Sequence, residues 1–189
     1  MNTLSSNPEV ATVPILDGIL YHGSAFSSIK EFRSAGETTV GDGLYTLNNS
    51  DQAEAYAHKR AREYGGSPVL YALGVEQATL VDLDDQQTLD VVMGGFRHAV
   101  LDAMLEEEND WIAQGALVHT LERIGAGVKV GNVKRVTQVS GNRFSGYLAS
   151  QGFDGLKTWE GGEGPTIGNH EAHLIFDPGS VEILHEQHL

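Results

Sequence analysis

The chain has no cysteine among its 189 residues. That excludes disulfides, thiolate metal sites and a thiol nucleophile, and it fixes no redox compartment. Positive charge is also scarce. Twelve Lys and Arg stand against 26 Asp and Glu, for a formal net charge of −14 and a pI near 4.8. A general nucleic-acid binder needs a basic face, and anionic membrane surfaces attract polybasic segments. Neither partner is expected. No run approaches the ~20 apolar residues of a membrane span. The first fourteen residues carry no basic n-region followed by an apolar core, so they do not read as a signal peptide. A soluble, cytoplasmic protein is the resulting expectation.

What is present supports a folded domain. Apolar residues make up 40%, enough for a core, and a chain this size reads as one domain. Residues 1–14 are expected to be a lead-in and 15–189 the domain. Glycine is the excess: 23 residues, well above the average of about 7%. That points to many loops or to backbone lying close to a ligand.

Short strands are predicted at Leu16–Ser24, Leu44–Leu47, Val69–Val75 and Thr79–Leu83. Ala25–Arg33 reads as one short helix. Asn49 or Ser50 is a good N-cap, Asp51 suits a first turn, and Ala53, Tyr56, Ala57, Ala61 and Tyr64 follow at helical spacing up to Gly65-Gly66. Phe96, Ala99, Val100, Ala103 and Met104 form a core-facing stripe. Leu117, Leu121 and Ile124 suggest a second helix closed by Gly125. Residues 86–125 thus read as a helical insertion, with an acidic joint at 105–110. Beyond it, Gly127–Val139 alternates like strand, Ser145–Gln151 reads as a short helix, and Gly152–Thr158 as turn plus strand. Residues 160–169 form a Gly-rich loop. His173–Leu184 reads as two strands joined at Pro178-Gly179. The pattern is α+β.

Three clusters of residues could carry chemistry. Tyr21-His22-Gly23-Ser24 offers an imidazole and approachable backbone at a strand end. Tyr45 closes a Gly-rich turn that starts at Gly41, and Tyr56 lies eleven residues on; two aromatic faces can hold a flat ring. Asn169-His170-Glu171-Ala172-His173 puts a carboxylate at the mouth of a strand. Each has a plain alternative: a structural turn histidine, core tyrosines, an exposed loop Glu. A metal site at His170 and His173, with His185 and His188 near, is disfavoured. HEAH is not HExxH, and residues three apart on a strand face opposite sides.

Taken in order, YHGS, GDGLYTLNNSDQAEAYA, GFDGL and EAHLIFDPGSVEIL resemble the ADP-ribosyltransferase superfamily. The likeness is to the His–Tyr–Glu branch of diphtheria toxin and the poly(ADP-ribose) polymerases, and among these to small bacterial and phage members. The resemblance covers both ends of the domain and not the helical middle. It implies a split β-sheet core and NAD as substrate. It also implies ADP-ribose transfer to a protein acceptor by an effector or toxin, acting in its own or a target cytoplasm and met by an inhibitor or antitoxin. Carried over by residue, His22 would bind the adenosine-side ribose. The Gly23 backbone would grip the carboxamide, with Ser24 beside the ribose. Tyr45 and Tyr56 would sandwich the nicotinamide, and Glu171 would stabilise the cation forming at C1′.

The chain departs from the family pattern in three places. The family's Glu commonly stands four residues before the strand aromatic. Here that place is Ala172, and Glu171 is five before Phe176. A one-residue slip flips a side chain across the sheet unless a bulge restores it; otherwise Glu160 or Glu163 would have to serve. Ala53 stands where a carboxamide-binding Ser is common. Asn169 stands where arginine-modifying members carry Gln or Glu. A non-catalytic NAD-binding module is the alternative reading.

Overall fold

The computed structural model describes residues 10–15, 18–33, 42–106, 111–140, 142–160 and 169–189. Most of the lead-in, Gly41, residues 107–110 of the acidic joint, the Gly161–Gly168 loop and Glu163 lie outside them.

Among the described residues eight strands form one sheet: β1 (Thr12–Ile15), β2 (Gly18–Ser24), β3 (Leu44–Leu47), β4 (Val69–Val75), β5 (Ala78–Asp82), β6 (Gly155–Glu160), β7 (His170–Ile175) and β8 (Val181–His188). Their order is β1-β5-β6-β7-β3-β2-β4-β8. All neighbours are antiparallel except β5 and β6. Parallel neighbours require a crossover, and here it is the whole helical run. That run comprises α2 (Gln86–Glu106), α3 (Trp111–Gly125), α4 (Lys134–Ser140) and α5 (Arg143–Ser150). Together with α1 (Ser50–Tyr64), the architecture is mixed α+β.

Local chemistry sets α1. The Asn49 side chain caps it by accepting from the Gln52 amide at 3.1 Å, Asp51 lies in the first turn, and Gly65 ends it at φ +76°. All the helices cover one face of the sheet. Ala53 of α1 clusters with Leu47, Leu70 and Ala172. The α2–α5 layer packs Phe96, Leu117, Val136 and Phe144 onto Val81, Leu156 and Leu174. The opposite face gathers Leu80, Ile175, Leu44, Leu20, Tyr71 and Leu73 under Phe32. Two faces carrying separate clusters give the strands apolar residues on both sides.

Several sequence expectations are corrected. Ala25–Arg33 is irregular rather than helical, because its polar groups are taken by distant partners: the Tyr71 hydroxyl donates to the Phe26 carbonyl and accepts from the Ile29 amide. Gly127–Val139 contains no strand. It is a turn running into α4, whose Val136 and Ser140 are buried beside Val133 at helical spacing. The helical run therefore extends to Ser150. Thr12–Ile15, mostly assigned to the lead-in, is an edge strand on β5, a position that tolerates Pro14. As expected, two final strands are joined at Pro178–Ser180, and they are not neighbours in the sheet. β7 lies between β6 and β3, and β8 lies on β4.

Candidate active site

The three proposed reactive residues come from three adjacent strands, His22 on β2, Tyr45 on β3 and Glu171 on β7. Register decides which face each takes. Tyr45 is opposite Leu174 and Leu47 opposite Ala172, which puts Tyr45 on the helix-covered face. His22 and Glu171 alternate to the other face. The sheet therefore divides the expected trio.

On the helix-covered face, Tyr45 packs between the α1 cluster and the α2–α5 cluster. Its ring centroid lies 6.1 Å from that of Tyr56, with planes at 58°. His170 completes the group: its ring is 5.5 Å from Tyr56, and Nε2 lies 3.3 and 3.4 Å from the Tyr45 and Tyr56 hydroxyls. A ring stacked between two others needs parallel planes about 7 Å apart, twice the ~3.5 Å contact distance. The tyrosines as they stand do not provide that slot. Gly23 faces α1, where its missing side chain allows the Ala53 carbonyl and the Ala57 amide to come close.

On the other face a polar row crosses the sheet. His22, Thr46, His173, Lys157 and Asp82 are register neighbours from β2 to β5. The His22 Nδ1–H donates to the Tyr45 carbonyl at 2.8 Å, leaving Nε2 as the acceptor. Burial lowers the His22 pKa; the hydrogen bond to Tyr45 opposes this and Arg60 adds to it. Imidazole, not imidazolium, is the resting form. Ser24 is buried, and its Oγ accepts from the Phe26 amide at 3.0 Å.

Glu171 sits one row beyond, opposite Trp159. Three donors hold its carboxylate: Asn48 Nδ2 at 2.9 Å, His173 Nε2 at 3.3 Å and Lys157 Nζ at 3.4 Å. Lys157 also binds Asp82 at 3.1 Å and approaches Asp84 at 3.8 Å. Burial pulls the Lys157 pKa down, but the hydrogen bond to Asp82 and the charges of Asp82, Glu171 and Asp84 outweigh it, and the net shift is upward. Burial lowers the pKa of His173, with Glu171 opposing. Burial raises that of Asp84, although the Trp159 amide donates to its carboxylate at 2.6 Å. Among the described residues no group of three or more His, Asp and Glu side chains is arranged to hold a metal ion, and no helix is long and apolar enough to cross a membrane.

Glu160, one of the two alternative carboxylates, pairs in register with His170, and Glu163 lies outside the described residues. Lys157, Asn48, Asp82, Asp84 and Trp159 escaped the sequence reading. The available signal was the period of two in β6, which puts Lys157 and Trp159 on one face.

No protein-family model matches the chain, and no curated protein matches it in sequence. A solved structure, the M. tuberculosis MbcT–MbcA toxin–antitoxin complex, aligns over 94% of this chain and 86% of that one, at 12% identity and a TM-score of 0.46.

Proposed function

We propose that this protein is a mono-ADP-ribosyltransferase with an ADP-ribosyltransferase-like core. It would cleave NAD at the nicotinamide glycosidic bond and pass ADP-ribose to a protein acceptor. In its biological setting it would act as an effector or toxin restrained by an inhibitor or antitoxin. The observation that carries the reading is that β2, β3 and β7 lie side by side and bring His22 and Glu171 to one face, with Tyr45 fixing the His22 tautomer through its carbonyl. In the reaction the C1′–N bond breaks and its electron pair leaves with neutral nicotinamide. The acceptor's nucleophile then bonds to C1′ and loses its proton. Glu171, held by three donors, would accept from a ribose hydroxyl and stabilise positive charge at C1′. The neutral His22 Nε2 would accept from a hydroxyl of the second ribose, beside Gly23 and Ser24. Tyr45 and Tyr56 would take a ring only after separating from His170.

A second reading is favoured by one observation. Glu171 lies across the sheet from the tyrosines and is paired to Lys157, as it would be in a module that binds NAD without turnover. Labelled NAD incubated with bacterial lysate separates the two. Transfer and nicotinamide release by the wild type, lost in Glu171→Gln and in His22→Ala, support the enzyme. Release that survives Glu171→Gln but fails in Glu160→Gln moves the carboxylate to β6. Binding without any release supports the module.

A further inference from the structure

We infer that the exposed indole of Trp159, beside Glu171, seats the cationic nicotinamide–ribose end of NAD, in place of the Tyr45–Tyr56 pair. The inference rests on the proposal that NAD is the ligand, and it assigns the ring to the opposite face of the sheet.

Three observations support it. Trp159 is 44% exposed near the end of β6, where the β5 ladder has stopped at Lys157 and only β7 pairs with it. Tryptophan is highly buried on average, so an uncovered indole here is unusual. Its backbone is fixed by the hydrogen bond from its amide to Asp84 and by the ladder to β7, which makes it a rigid platform. Second, Trp159 stands directly opposite Glu171, with Cβ atoms about 5 Å apart as for any such antiparallel pair. A ring on the indole would bring its attached ribose to a carboxylate that Asn48, His173 and Lys157 already orient. Third, three carboxylates (Asp82, Asp84, Glu171) surround one ammonium (Lys157), and burial keeps His173 neutral. The excess negative charge disfavours a phosphate and favours a pyridinium, which an indole face also attracts. On the other face His170 already lies against the tyrosines.

The chain has two tryptophans, so Trp111→Phe leaves Trp159 as the sole indole reporter. Saturable quenching by nicotinamide riboside, with none by adenosine, is expected. In the nicotinamide-release assay, Trp159→Ala should raise KM for NAD about tenfold, the equivalent of ~1.4 kcal/mol, with kcat nearly unchanged. Trp159→Phe should restore most of the affinity, and NADH, whose ring is neutral, should inhibit only at concentrations about tenfold above that KM. Nicotinamide release that is intact yet indifferent to Trp159→Ala overturns this inference and leaves the enzyme standing. Equal competition by NADH overturns it as well, because ring charge would then not be what the site reads. If NAD is neither bound in calorimetry nor cleaved, the functional proposal itself fails, and this inference with it.

Discussion

Gly23 is where the fold and the candidate site make competing demands, and Gly23→Ala separates them. A Cβ built on Gly23 would lie 2.1 Å from the Ala53 carbonyl oxygen and 2.6 Å from the Ala57 amide nitrogen. Both atoms are backbone of α1, so no rotamer change relieves the clash. The helix itself must move, and with it the buried Ala53 and Ala57. Ordinary overpacking costs about 1–3 kcal/mol where side chains can adjust; here a loss of about 3 kcal/mol or more is expected. At roughly 2–4 °C per kcal/mol for a domain this size, Tm should drop by about 6–12 °C. Gly115 is the matched control. It lies exposed in α3, and nothing stands within 4 Å of its Cβ position, so Gly115→Ala should gain up to about 1 kcal/mol from helix propensity. Circular dichroism during thermal and denaturant unfolding measures both. A Gly23→Ala protein within about 1 kcal/mol of wild type would refute the close seating of α1 on β2. If the loss is found, the need for glycine at this position is met by packing, whatever its amide and carbonyl do for a ligand.

Ala172 occupies the place where the resemblance expects a carboxylate, and it is fully buried among Leu47, Ala53 and Leu70. Ala172→Glu should therefore destabilise by more than about 3 kcal/mol rather than create activity; a stable, active variant would contradict this packing. Burial lowers the pKa of His22 and His173 from 6.5, so folding excludes protons that the unfolded chain binds. Stability should be highest above pH ~6.5 and fall as the pH drops below it, and His173→Gln should flatten that slope in urea unfolding between pH 7 and 5; an unchanged slope refutes the assignment. Asp84 has a raised pKa, so its ionised form is disfavoured in the fold. Asp84→Asn, which keeps an acceptor for the Trp159 amide, should hold or raise stability at pH 7, and a clear loss would show that the attraction to Lys157 dominates. Phe96, 1% exposed and stacked edge-on 5.1 Å from Phe144, should cost about 3–5 kcal/mol on truncation to Ala, read as a lowered denaturation midpoint.

The parts of the fold that were legible in the sequence are those decided locally. The Asn49 cap, the Ala53-to-Tyr64 spacing and Gly65 define α1 without help from the rest of the chain, and the Phe96 stripe does the same for α2. The segment after Ser24 was not legible. Its conformation depends on Glu186, whose carboxylate accepts from the Ser28 amide across the fold, and Ser28 takes φ +61°. Val128 and Val130 alternate as in a strand, whereas Val133, Val136 and Val139 recur every three residues, a helical spacing that the strand expectation for this stretch passed over. In the site, the residues at Glu171 and His22 could be read from their motifs, and so could the one-residue slip. The clamp around Glu171 could not. Lys157 and Asp82 lie on parallel neighbours separated in sequence by the entire helical run, and no local pattern announces such a pair.

That crossover has a kinetic consequence. β5 and β6 cannot pair until Gln86–Ser150 has folded back over the sheet, and pairings of such wide sequence separation are slow because chain entropy is lost before contacts form. The polar row draws His22, Thr46 and Asp82 from before the crossover and Lys157 and His173 from after it, and Glu171 in the row beyond also comes from after it. A chain that has formed only β2, β3, α1 and β4 thus holds two of the row's five members and, of the groups that clamp Glu171, Asn48 alone. Assembly of the Glu171 clamp should then trail the burial of α1, and a probe at Trp159 would report a later refolding phase than one on the β2–α1 unit.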